Sequence, residues 1–180
     1  MALGFRRRQP TDRHGQAGAA LYGAAVAAAR APWFYQVLDV PDTLDGRFDL
    51  IALHAFLLIH RLQDVPDPGP ALAQGVFDAM FSDMDNNLRE IGVSDLSVGR
   101  RMRAMWEAFH GRAQVYAAAI DAADGPALEA SLARNVWRGT PPDGASATLT
   151  RLMLDQVAHL QGQKLAEFAA GKVHFIGVPP

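Results

Sequence analysis

Six histidines come first, because imidazole can bind a metal and can serve as acid or base near neutral pH. They are His14, His54, His60, His110, His159 and His174. None stands in a His-Glu-x-x-His motif. His54 and His60 lie six residues apart, which is about 240° around a helix, so the two cannot share a metal. No Glu-x-x-His pair repeats, as a metal or haem bundle would need. The histidines read as core-edge or partly exposed side chains. The stretch Asp83-Met84-Asp85-Asn86-Asn87-Leu88-Arg89-Glu90 alternates oxygen ligands like a calcium loop. It lacks the central Gly and the spaced terminal Glu, and it sits in a helical pattern that would splay its oxygens. Gly92 to Gly99 has neither the spacing nor the Lys-Ser/Thr ending of a phosphate loop, and no Ser stands in Gly-x-Ser-x-Gly. With no cysteine in the chain, thiol nucleophiles, disulfides and thiolate-held metals are excluded. No catalytic residues, metal site or cofactor are expected.

Three other groups stand out. Arg100, Arg101 and Arg103 crowd the start of a helix expected after Ser97, where cations oppose the helix dipole. They either pair with acids of the preceding helix (Asp83, Asp85, Glu90, Asp95) or join them in a polar recognition surface. Met80, Met84, Met102 and Met105 lie on adjacent predicted helices, either as core or as an adaptable apolar surface. Trp33, Phe34 and Tyr35 are consecutive, so they cannot all face inward from one short helix, and one of them is available to an apolar partner. Trp106 falls within an apolar stripe and reads as structural.

The elements that position these groups are helices. Residues 17–30 are alanine-rich, and Pro32 opens a short second helix. Asp45 is a candidate cap for a helix to Gln63 that is apolar almost all round, and so central. Between Pro70 and Gly92, Leu72, Val76, Met80, Met84 and Leu88 recur at helical spacing. Further helices follow Ser97, Asp124 and about Ser146, the last running to Ala170. Only Lys172 to Val178 reads as extended. The expected fold is all-α, a single-domain bundle of six or seven helices with a short extended C-terminal tail. Its parts are a basic arm at 1–16, a helical domain at 17–171 and a tail at 172–180.

The chain of 180 residues, 49% hydrophobic and 20% charged, fits one globular domain. Its longest strongly apolar run, Leu50 to Ile59, is too short to cross a bilayer. The net charge of −2 is unevenly spread. Residues 1–31 carry five Arg against one Asp, residues 32–95 eleven acids against three Arg, and residues 96–180 nine bases against seven acids. No direct nucleic-acid partner is expected from this profile. The basic N-terminus suits an anionic surface such as a membrane. Arg6-Arg7-Arg8 before the alanine run is only superficially like a signal peptide, because Asp12, Arg13 and His14 interrupt it.

Five segments carry a resemblance: Leu21-Tyr22-Gly23, Pro41 to Asp49, Phe81 to Asp85, Leu88 to Met102, and Ala108-Phe109-His110-Gly111-Arg112. Over about residues 20–170 the chain resembles the ubiquinol–cytochrome c chaperone family. It departs at His110 and Ser94, where the family commonly has Tyr and Gly. The resemblance implies an assembly factor for the cytochrome bc complex, respiratory complex III, with no catalytic residues. Its expected partners are newly made cytochrome b, a small second subunit and the ribosome exit region. The short N-terminus suits a bacterial member at the cytoplasmic face of the inner membrane; eukaryotic relatives work in the mitochondrial matrix. The client-facing wall is expected on the helix pair 70–120, with Met80, Met84 and Met102 along a groove edged by Asp83, Asp85, Arg89, Asp95, Arg100 and Arg103, and with Trp33 and Phe34 as further contacts. The alternatives are a membrane-peripheral scaffold and a haem-binding helical protein.

Overall fold

The computed structural model describes residues 13–179. Among them are eight helical segments and no strand: α1 (Arg13–Ala29), α2 (Pro32–Gln36), α3 (Leu44–Gln63), α4 (Gly69–Glu90), α5 (Asp95–Asp121), α6 (Gly125–Val136), α7 (Ala145–Gln161) and α8 (Leu165–Ala169). The all-α single-domain expectation holds. Six of the helices are long, while α2 and α8 have five residues each. Of the arm expected at 1–16, residues 13–16 form the first turn of α1, and 1–12 lie outside the described residues.

The centre is α3, which buries eleven of its twenty residues, as its all-round apolar pattern requires. Thr43 rather than Asp45 caps it, accepting from the Gly46 N–H at 3.1 Å. Helices α1 and α4 pack on α3 and most extensively on each other. They meet glycine to glycine: a Cβ added at Gly18 would stand 2.5 Å from the carbonyl carbon of Gly75. Helices α5, α6 and α7 follow round the other side of α3. Buried Trp137 donates its Nε1–H to the Leu38 carbonyl at 3.0 Å, tying the end of α6 to the loop before α3.

The helix expected over 146–170 is interrupted at Gly162. Arg61 on α3 explains the break. Its Nε donates to the Leu160 carbonyl at 2.9 Å and its Nη2 to the Gln163 carbonyl at 3.3 Å, satisfying groups that a continuing helix would use itself. The Arg61 guanidinium also lies 5.6 Å from the centre of the Phe168 ring on α8.

After Gly171 the chain runs without helix and is clasped by two glutamines. The Gln163 side chain donates to the His174 carbonyl at 2.7 Å and accepts from the His174 N–H at 2.9 Å. Gln156, 2% exposed, does the same for Ile176, both bonds at 2.9 Å. The alternate residues Val173 and Phe175 pack against the core.

Phe175 helps to seal His54, which is 4% exposed between Phe34 and Phe175, with ring centroids 5.6 and 5.5 Å away. Its Nδ1–H donates to the Leu50 carbonyl at 2.8 Å. Burial pulls this imidazole down from 6.5 to about 4. The folded state therefore keeps His54 neutral where the unfolded chain protonates it. The contribution is complete above about pH 6.5 and is lost as pH falls towards 4, amounting to roughly 3 kcal/mol. Urea unfolding between pH 7 and 4.5 should show a clearly smaller decline for His54→Leu than for the parent; equal declines would contradict the assignment.

Candidate functional site

Helices α1, α3, α4 and α5 do not close against one another at one end of the bundle. Between them lies an open groove of about 860 Å³. The cause is visible in α5, the longest helix at 27 residues, which buries only four of them. The side of α5 that carries Arg101, Ala104, Met105, Ala108 and Arg112 stands over the groove, while Trp106, Phe109, Ala113 and Ala117 line a second recess. Leu44 and Ile91 border the groove while 55% and 57% exposed. Phe48, Ile51, Met84, Leu88 and Met105 add apolar lining.

The polar groups of the groove are organised around Asp49 at its floor. Asp49 is 4% exposed and both of its oxygens are taken. Arg112 on α5 donates Nη1–H to Oδ1, and Arg138 donates Nη1–H to Oδ2 at 2.8 Å. Arg138 follows the end of α6 with φ 57°, a left-handed turn, and also donates to the Asn135 carbonyl. Burial pushes the Asp49 carboxyl up, while the two guanidiniums oppose that push. Two cations thus share one carboxylate in a half-enclosed place. Across the groove, the Tyr22 hydroxyl on α1 donates to Asp83 Oδ2 on α4 at 2.7 Å. Burial, and then that carboxylate, push the Tyr22 hydroxyl far up, so it remains a donor. On the rim, Arg47 Nε donates to Asp42 Oδ1 at 2.6 Å. Each of these contacts fixes one protein group with another, an arrangement suited to holding a partner.

Of the residues expected at a client surface, Asp83 and Met84 border the groove. Met84 does so from a buried position, 6% exposed. Met80 and Phe34 are corrections: at 0% and 1% exposure they are core, Met80 on α4 and Phe34 on α2 with its ring 5.6 Å from that of His54 on α3, and no partner can reach them in the folded chain. Met102 is half-buried against the core, and Trp33 is half-buried with its ring edge-on to Phe34 at 5.4 Å. Asp85, Arg89 and Asp95 form an exposed chain beside the groove, with Arg89 Nε 2.7 Å from Asp85 Oδ2 and Arg89 Nη1 2.6 Å from Asp95 Oδ1.

The partners of the α5 arginines also differ from expectation. Arg103 pairs with Glu107 on its own helix at 3.6 Å, and neither Arg100 nor Arg101 forms an ion pair among the described residues. Helix α5 begins at Asp95 after Ser94, one turn before the expected start at Ser97. The three arginines therefore stand in its second and third turns, where the dipole penalty has faded. Trp106 is a further correction. It is 46% exposed and stacks over His110 at 4.0 Å, beside a second recess of about 550 Å³ lined by Phe77 and Phe109.

Sequence reasoning missed Asp49, Arg112, Arg138, Tyr22 and Leu44 as site residues. For all but Arg138 the signal was present, because the five segments that carry the resemblance contain these residues and supply most of the groove walls. Among the described residues no group of three or more His, Asp or Glu could hold a metal ion. No described helix is long and apolar enough to cross a membrane.

Comparison with known proteins gives concordant findings. The family described as Ubiquinol-cytochrome C chaperone matches over residues 36–175. A Xenopus laevis protein, "Ubiquinol-cytochrome-c reductase complex assembly factor 1", is 25% identical over 103 residues, covering 57% of this chain and 51% of its own length. The chain thus spans about half the length of that curated relative. Among solved structures, the Cbp3 homolog from Brucella abortus is similar with a TM-score of 0.81 at 35% identity, over 91% of each chain.

Proposed function

The chain belongs to the ubiquinol-cytochrome C chaperone family, and we propose that it is a non-catalytic assembly chaperone for respiratory complex III that holds newly made cytochrome b in the α1–α3–α4–α5 groove. The observation that carries this reading is the groove itself: about 860 Å³, open, apolar along much of its wall, and built from the segments by which the chain resembles its family. A subunit awaiting assembly exposes apolar helix faces that its finished complex will cover. A groove can shield such a face by helix-in-groove docking and still release it. The exposed Leu44 and Ile91 and the adaptable Met105 provide contact without a deep, locking pocket. The name of the Xenopus laevis relative, an assembly factor for ubiquinol-cytochrome-c reductase, supports the choice of complex. The same reading sets the protein at the cytoplasmic face of a bacterial inner membrane, near the ribosome and a small partner subunit.

The test is capture from cells making tagged protein with a photocrosslinking residue at Ala104, inside the groove, or at Arg151, on α7 outside it. Crosslinks from position 104 to cytochrome b, with none from 151, are expected. Crosslinks to cytochrome b from 151 but not from 104 would reject the groove, and none from either would reject the client.

A further inference from the structure

One face of α5 carries a pattern that the client reading does not by itself require. Arg101, Ala104, Met105, Ala108 and Arg112 all line the groove. Their spacing puts them on one side of the helix, with the two arginines eleven residues apart, about 16 Å and three turns. The side chains between the cations are small or pliable, so another backbone can come close. Both cationic ends have charge to spare. Arg101 is exposed and forms no ion pair among the described residues. At the other end Arg112 and Arg138 share the single carboxylate of Asp49. The acids opposite do not fully cancel this surplus: the lining holds five arginines against four aspartates, with Asp42 already paired to Arg47, so one positive charge remains in excess.

We propose that the groove takes a helical polypeptide segment bearing carboxylates about three turns apart with apolar residues between them, its acids meeting Arg101 at one end and the Arg112–Arg138 pair at the other. This rests on the client-binding reading and specifies the chemistry of the segment held. A membrane surface fits less well, because Arg112 is only 21% exposed beside buried Asp49 at the groove floor, where a flat array of lipid headgroups does not reach. Charge-assisted pairs at such partly enclosed positions bind more strongly than neutral hydrogen bonds.

The probes are two synthetic Ala/Leu helices, one with two glutamates about three turns apart and one with glutamines there. Binding to the full chain is followed by fluorescence anisotropy. The glutamate peptide should bind about tenfold more tightly. Arg101→Glu, at an exposed position without an ion pair, should erase the preference, and Arg151→Glu should leave it. Equal binding of the two peptides would overturn the proposal, as would a preference that survives Arg101→Glu. Displacement of the glutamate peptide by phosphatidylglycerol vesicles, but not by phosphatidylcholine vesicles, would overturn it in favour of a membrane surface. Because the peptides contain no cytochrome b sequence, this outcome is read separately from the crosslinking experiment.

Discussion

Replacing Asp49 by alanine is expected to lower the unfolding free energy by about 3–5 kcal/mol, the usual consequence of removing one side of a buried ion pair. In a protein of this length that corresponds to a fall in Tm on the order of 10 °C. The side chain of Asp49 is 2% exposed and that of Arg112 21%, so the orphaned guanidinium cannot turn fully to water. Arg138, 53% exposed, can do so, and Arg138→Gln should cost far less. The contrast separates the cost of an orphaned charge from the worth of the pair. Burial pushes the Asp49 carboxyl up even with both arginines in place, so the cluster is no large net source of stability. Its role is to set charges in the groove floor. Urea titration of both variants decides the point: equal small losses would show that Arg112 relaxes into solvent.

Gly18→Leu should destabilise by about 3 kcal/mol or more, through overpacking at the α1–α4 crossing. A Cβ at Gly18 would lie 2.5, 2.6 and 2.8 Å from the Gly75 carbonyl carbon, the Gly75 Cα and the Val76 nitrogen. All three are backbone atoms, so only separation of the helices relieves the clash. That separation would also stretch the 2.7 Å bond from Tyr22 to Asp83, and groove binding should weaken with stability. Gly23 is the control on the same helix. Nothing lies within 4 Å of a Cβ there, so Gly23→Ala should stabilise by about 0.5–1 kcal/mol through helix propensity. Thermal unfolding of both variants would check the signs, and destabilisation by Gly23→Ala would undo the packing argument.

Periodicity located the helices because each apolar face repeats with the helical turn. The α5 start was misplaced because Ser94 and Ser97 are both chemically good caps; the choice falls to Ser94, where the chain turns after α4. Trp106 shows a different limit. Its stripe was read correctly as apolar, but periodicity reports which face is apolar and not whether another element covers it. Trp106 borders the second recess, and no other described element covers it there. The contact between Asp49 and Arg138 was illegible for a third reason. They lie 89 residues apart, and their meeting depends on how α6 ends, at a left-handed residue that no local pattern announces.

The glutamine clasp has an evolutionary consequence. Gln156 and Gln163 bond only main-chain groups of Ile176 and His174, and neither of those tail side chains is packed into the core. The clasp therefore asks nothing of residues 174 and 176 except an amide hydrogen, a demand only proline fails. Among homologues that keep the fastening, these two positions should drift freely while both glutamines and the ring at Phe175 stay put.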